Sequence, residues 1–375
     1  IMLFLSMRRL GAAHRIACLP AGIAFLSGDH LYLEHVIMAD FLLIFLTSAG
    51  LTAAVYALKK CVDLRWLCVA SALLASAALA RSVGLILLPI LAVCTCAWVR
   101  ISLRDRAAVL AAAVLPGLTV FAVYGTAFVL ARGAYLGFSD MRAWNLYSRV
   151  APFADCRKFS PPEDTAVLCE ETPTSQRSGP FGYIWDANSV ARRNFALKSE
   201  NDKKLGAFAT QVILHQPGDY ARAVLIDLVR YIEPSIGNNH GYSGQPREIV
   251  SFGWRDNSVE RFVVAYMSKK YHGAKVHLHC RDMLSTYQNL FRVGGLALAT
   301  LICLTFVGMI RARGSLRFGI FLFGLSGLGL YVVPVLTVSY DFRYGIPAET
   351  FVAVSGLLGA LAVRANASNC LNDPS

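Results

Sequence analysis

The chain has 375 residues, of which 55% are hydrophobic and only 16% charged, and its mean hydropathy is +0.49. A soluble globular domain needs a more polar surface, so this composition excludes that class and predicts an integral membrane protein. The formal net charge of +12 does not point to nucleic acid, because the basic residues cluster in short loops instead of forming one stripe.

The first residues, IMLFLS followed by MRRLGAAHR, read as the end of a helix running into a cytoplasmic loop. The apolar stretch precedes the positive charges, the reverse of a signal peptide, so we expect an N-terminally truncated piece of a longer protein. A membrane span takes roughly 20 apolar residues. The runs Val36 to Leu58, Ala107 to Ala131, Leu290 to Ile310, Phe318 to Ser339 and Ile346 to Val363 qualify or come close. Trp66 to Ala80 and Gly84 to Val99, joined by Arg81, Ser82 and Val83, predict a helical hairpin with short or tilted limbs. Ile16 to Ser27 is the weakest candidate. The expected fold is an all-α integral membrane protein, a polytopic helical bundle of about seven or eight spans, carrying one large outer domain of helices and loops. Its segments are residues 1–131 (transmembrane helices), 132–288 (extracytoplasmic loop domain), 289–364 (transmembrane helices) and 365–375 (cytoplasmic tail).

Sidedness comes from charge. Arg8, Arg9 and Arg15, then Lys59, Lys60 and Arg65, then Arg100, Arg104 and Arg106, then Arg311, Arg313 and Arg317, and finally Arg364 occupy every second connection. Cytoplasmic loops are expected to carry such an excess of lysine and arginine. The alternate connections, around residues 29–34, 81–83, 132–289 and 341–344, then face outward, which suits a multi-pass protein of the cell membrane, a bacterial plasma membrane first of all.

The long insertion is loop-like through Asn194, with runs such as FSPPEDT and EETPTSQRSGPFGY. It turns helical from Asn201 onward, where Pro217 divides two apolar-periodic stretches. Asp219 is placed to cap the second helix, whose amphipathic face is Val224, Leu225, Leu228 and Tyr231. Such a helix either lies along the membrane surface or packs within the outer domain. Of the ten cysteines, Cys156 and Cys169 bracket a short proline-rich outer loop, and an oxidising compartment would join them.

Soluble-enzyme motifs are missing. GLSGLG at 324–329 lies inside an apolar span, where small residues let helices approach closely. No GxxxxGK[ST] phosphate loop occurs, which argues against an ATP-driven pump. His272, His277, His279 and Cys280 form a weak metal-ligand candidate without a clear remaining ligand, and a polar loop is the default reading. No metal site is assigned, no cofactor is certain, and a divalent metal stays an open option. The sharper features are charges at predicted outer helix ends: Glu34, His35 and Asp40 in LYLEHVIMADF, Arg81 in ALARSVGLILLP, and Asp341, Arg343 and Tyr344 in SYDFRYGIPAET. An intramembrane carboxylate such as Asp40 marks either a functional group or a hydrogen bond to a neighbouring helix. Two arginines at one interface suit a lipid phosphate, which guanidinium grips through paired N–H groups, and they serve equally as snorkelling anchors.

Taken in order, LYLEHVIMADFLLIFL, ALARSVGLILLPILAV and SYDFRYGIPAETFVAV resemble the bacterial lipid-carrier-dependent glycosyltransferases of the GT-C superfamily, relatives of the protein O-mannosyltransferases and of the lipid A aminoarabinose transferase. Asp40 matches the acidic residue that opens a span in that family. Arg81 and Gly84 match its T-R/K-P-x-G turn, from which Ala80 and the Ser82–Val83 step depart, and Asp341, Arg343, Tyr344 and Pro347 match its D-x-R-Y-x-x-P. The resemblance implies transfer of a sugar from a polyprenyl-phosphate donor to a glycan, lipid or protein acceptor on the extracytoplasmic face, with membrane lipid around it and no nucleic-acid partner. It implies donor-phosphate binding by Arg81, Arg343 and Tyr344, supported by Glu34, His35, Asp40 and Asp341. The family's catalytic aspartate would fall upstream of Ile1, so no residue of this chain inherits that role. The alternatives are a transporter or flippase of a lipid-linked substrate, and an inactive membrane fragment.

Overall fold

A computed structural model describes residues 1–34, 39–58, 62–98, 103–132, 142–195, 199–232 and 295–371, with a few isolated positions between 283 and 293. Among them there is no strand. The helices are α1 (Met2–Arg9), α2 (His14–Leu26), α3 (Gly28–Glu34), α4 (Asp40–Ala57), α5 (Leu64–Ala80), α6 (Leu87–Trp98), α7 (Leu103–Arg132), α8 (Arg142–Val150), α9 (Pro180–Trp185), α10 (Val190–Asn194), α11 (Ser199–His215), α12 (Pro217–Ile232), α13 (Gly295–Arg311), α14 (Gly314–Thr337) and α15 (Phe342–Leu371).

Among the described residues, four stretches are long and apolar enough to cross a membrane: Asp40–Ala57, Arg104–Ala131, Gly314–Thr337 and Phe342–Arg364. The other apolar runs form shorter helices: α2, α5, the unit from Ser82 to Trp98, and α13. The limbs around Arg81 are short for a local reason. Arg81 adopts an extended backbone (φ −148°, ψ 129°) that ends α5, and a 3-10 turn from Ser82 to Ile86 starts the next helix. α15 runs past Arg364, where the apolar pattern ends, and stays helical to Leu371 within the expected tail.

The main core joins two groups. α4 and α5 pack together and α5 lies against α7, while α15 lies against both α13 and α14. α6 on α14 and α2 on α15 connect the groups. Leu43, Leu51, Leu67, Leu74, Leu87, Phe323 and Phe351 are fully enclosed in it. GLSGLG makes the close approach expected of small residues. A Cβ on Gly324 would stand 2.7 Å from Thr305 Cγ2, and one on Gly327 would stand 2.7 Å from Val352 Cγ2. α7 instead turns Leu115, Leu118, Val123 and Leu130 outward, an apolar face that hydrocarbon covers better than water does.

A second core fills the insertion, built from Trp144 and Tyr147 of α8, Phe208 and Val212 of α11, and Phe159, Leu168, Tyr183 and Ala191. Its first half is more ordered than its composition suggests. Arg177 donates to four carbonyls, those of Ala151 (3.1 Å), Ala154 (2.8 Å), Glu170 (2.9 Å) and Thr172 (2.9 Å), and so ties the proline-rich loop to the end of α8. Cys156 and Cys169 are joined by a disulfide across the same loop, with Cα atoms 5.8 Å apart.

α12 departs from its sequence reading in two details. It starts at Pro217, which suits a first helical position, so Asp219 lies in the first turn and pairs with Lys158 at 3.1 Å. Its inward face is Val224, Asp227, Leu228 and Tyr231, while Leu225 points away and is 61% exposed. The spacing alone allowed either neighbour into the core. The buried charge partners of Asp227 decide the rotation.

Candidate functional site

Five of the expected residues meet where the helices end. Asp40 is the first residue of α4 and is almost fully buried. Its carboxylate forms an ion pair with Arg81 Nη1. Arg81 can reach it because its extended backbone turns the chain out of α5, and Gly84 lets that turn close. A Cβ on Gly84 would lie 2.9 Å from both the N and the Cα of Ala78, and backbone atoms cannot give way as a side-chain tip can.

From the other half of the bundle, the turn between α14 and α15 delivers Asp341, Arg343 and Tyr344. Asp341 Oδ1 accepts the Arg343 backbone N–H at 3.0 Å, capping the start of α15. Its Oδ2 lies 3.6 Å from Arg343 Nη2. The guanidinium carbons of Arg81 and Arg343 lie 5.3 Å and 5.2 Å from the centre of the Tyr344 ring, within cation–π range. Two arginines from distant parts of the chain therefore share one ring. Each also has its own aspartate, so these four charges cancel. Asp40 engages one guanidinium nitrogen of Arg81, and a guanidinium has five N–H donors. Burial pushes the Asp341 carboxyl up to about 6, although the neighbouring Arg343 and Arg81 pull the other way.

Glu34 closes α3, but its side chain, like the whole of His35, lies outside the described residues. So do His272, His277, His279 and Cys280. Among the described residues, no group of three or more His, Cys, Asp or Glu could hold a metal ion. Cys156 and Cys169 lie in the insertion, apart from the arginine pair; with Phe153, Arg157, Lys158, Glu170, Asp219 and Arg222 they line a half-open groove of about 1080 Å³.

Sequence reading missed the residues that hold the site from outside. Asp227 of α12 accepts bonds from Arg149 Nη1, from Arg230 Nη1 (2.6 Å), from the Ser339 hydroxyl (3.3 Å) and from the Tyr340 backbone N–H (3.1 Å). Four residues on, Tyr231 donates its hydroxyl to the Asp341 carbonyl at 3.2 Å and packs edge-on against Tyr331 and Tyr340. Burial beside Asp341 and Tyr340 pushes the Tyr231 phenol well up, so it stays a donor at neutral pH. The available signal was a lone acid, Asp227, at the centre of the helical repeat Val224, Asp227, Leu228, Tyr231. His30 of α3 was missed as well; its Nε2 lies 3.0 Å from Thr350 Oγ1 of α15, and burial lowers its imidazole to about 4, which keeps the ring neutral.

Comparison with protein-family models, with characterised proteins and with solved structures gave no match.

Proposed function

We propose that the protein is a multi-pass membrane glycosyltransferase that takes a sugar from a polyprenyl-phosphate donor and delivers it to an acceptor on the extracytoplasmic face. The observation that carries this reading is the meeting of Arg81 and Arg343 over one tyrosine ring at the helix ends. Two guanidiniums held about a common point suit a phosphate, whose oxygens each accept an N–H. Asp40 and Asp341 fix the arginines in place before a ligand arrives, which limits the ordering cost of binding. As the bond between the anomeric carbon and the phosphate oxygen breaks, the electron pair leaves with the phosphate. The arginines then stabilise the charge where it develops. An activated lipid suits this side of the membrane, because it brings both the leaving group and the membrane address. The acceptor hydroxyl must lose its proton to a base that this chain does not identify.

Binding of a polyprenyl phosphate to the chain in lipid nanodiscs tests the reading without requiring turnover. Arg343→Lys should weaken binding nearly as much as Arg343→Ala, on the order of ten- to a hundredfold, because ammonium cannot reproduce the paired N–H contacts. Wild-type affinity in Arg343→Lys, with normal expression, would leave the turn as a topological anchor. Transfer of labelled sugar from the lipid-linked donor by membranes containing the protein separates a transferase from a flippase.

A further inference from the structure

Arg81 and Arg343 are brought to one ring by different means. Arg81 is tied to Asp40, the first residue of another helix. Asp341 and Tyr344, which contact Arg343, belong to the same turn as Arg343 and move with it. The direction of Arg343 is therefore inherited from residues 339–341, and α12 grips that turn at three successive residues. Asp227 accepts from the Ser339 hydroxyl at 3.3 Å and from the Tyr340 N–H at 3.1 Å, and the Tyr231 hydroxyl donates to the Asp341 carbonyl at 3.2 Å. Asp227 and Tyr231 are four residues apart, so both project from one face of the helix.

The Tyr231 contact falls on the residue that sets both of its site neighbours. The Asp341 carbonyl also accepts the Tyr344 N–H at 3.0 Å, while the Asp341 side chain accepts the Arg343 N–H at 3.0 Å. Asp341 thus orients the amides of Arg343 and Tyr344, and Tyr231 orients Asp341 from outside the turn. The phenol itself has little freedom. Its ring lies edge-on to Tyr331 and Tyr340, 4.7 Å from each, and against Gly345, where a Cβ would come within 2.9 Å of Tyr231 Cε1. We propose that Tyr231 is a positioning residue for the phosphate site: through its hydrogen bond to the Asp341 carbonyl, the insertion holds Arg343 and Tyr344 in register with Arg81. A pair of guanidiniums grips a phosphate only when both sets of N–H groups converge, so a turn fixed in advance adds to affinity for the phosphate. The lipid chain of the same ligand gains nothing from it. The proposal rests on the phosphate-binding part of the functional reading.

The test uses the whole chain in phosphatidylcholine nanodiscs and measures affinity for undecaprenyl phosphate and for the uncharged undecaprenol. Tyr231→Phe removes one O–H and keeps the ring, and the Asp341 carbonyl retains the Tyr344 N–H, so no buried acceptor is stranded. The variant should bind the phosphate about three- to tenfold more weakly, the worth of one hydrogen bond, and bind undecaprenol as before. Because Tyr231 acts through Arg343, adding Tyr231→Phe to Arg343→Ala should weaken phosphate binding no further. A hydroxyl that only stabilised the fold would give losses that multiply. Tyr147→Phe removes a fully buried hydroxyl of the insertion that makes no hydrogen bond among the described residues, and it should bind both lipids as wild type. If Tyr231→Phe does not fold, Ser339→Ala loosens the same turn and decides in its place, with the same loss for the phosphate alone and the same silence beside Arg343→Ala. Wild-type phosphate affinity in the folded variant, an equal loss for undecaprenol, or multiplying losses overturns the positioning role and leaves the phosphate site standing. Unchanged phosphate affinity in Arg343→Ala removes the phosphate site, and the positioning role goes with it.

Discussion

Arg149 of α8 and Asp227 of α12 form an ion pair sealed inside the protein, 78 residues apart in sequence. Asp227 also serves Arg230, Ser339 and the Tyr340 amide, so it joins the insertion to the turn that carries Asp341 and Arg343. Removing one member of a buried pair strands the other charge and typically costs about 3–5 kcal/mol. Thermal unfolding in detergent should therefore rank Asp227→Leu as more damaging than Arg149→Met, because Asp227 accepts from both Arg149 and Arg230 as well as from the Ser339–Tyr340 turn. The double variant should lose less than the sum of the two single losses. Additive losses, or a milder effect at Asp227, would contradict the network.

The Asp341 carboxyl supplies a pH signature. Its folded value of about 6 lies above the 3.8 of an unperturbed aspartate because burial disfavours the charged form. A group raised on folding adds stability that is complete below its unfolded value and is lost as pH climbs through the folded one. Melting temperature should accordingly fall between pH 3.8 and about 6, and Asp341→Asn should flatten that slope. An unchanged slope in the variant would assign the dependence to another group.

The disulfide should matter to the insertion. The chain-entropy estimate for a loop of this length is about 3 kcal/mol. Mass spectrometry of non-reduced protein should find Cys156 and Cys169 joined, and reduction should lower the unfolding temperature. Two free thiols in protein prepared from an oxidising compartment would count against the bond.

Sidedness can be read directly by labelling single introduced cysteines in intact cells. Arg104 and Arg313 should be protected from an impermeant reagent and Trp185 should react. Labelling of Arg104 and Trp185 from one side would remove the basis for an outer insertion and for a site on that face.

Composition and periodicity were enough to specify a helical protein with membrane-length apolar runs, because burial in hydrocarbon leaves a one-dimensional trace along the chain. The same trace placed Asp40, Arg81 and Arg343 at helix ends, since a charge interrupts an apolar run wherever it falls. Which charges would meet was not legible. That Asp40 pairs with Arg81, and that Arg81 shares the ring of Tyr344 with Arg343, depends on how α4, α5 and α15 rotate and cross. A helical repeat states which residues share a face but not what that face will touch. α12 makes the point most sharply. Its pattern allowed Leu225 inward, but tertiary packing buried Asp227 because Arg149 and the Tyr340 amide were there to receive it, and Leu225 was left outside. A buried carboxylate is tolerable only with partners, and those partners come from parts of the chain that no local pattern connects.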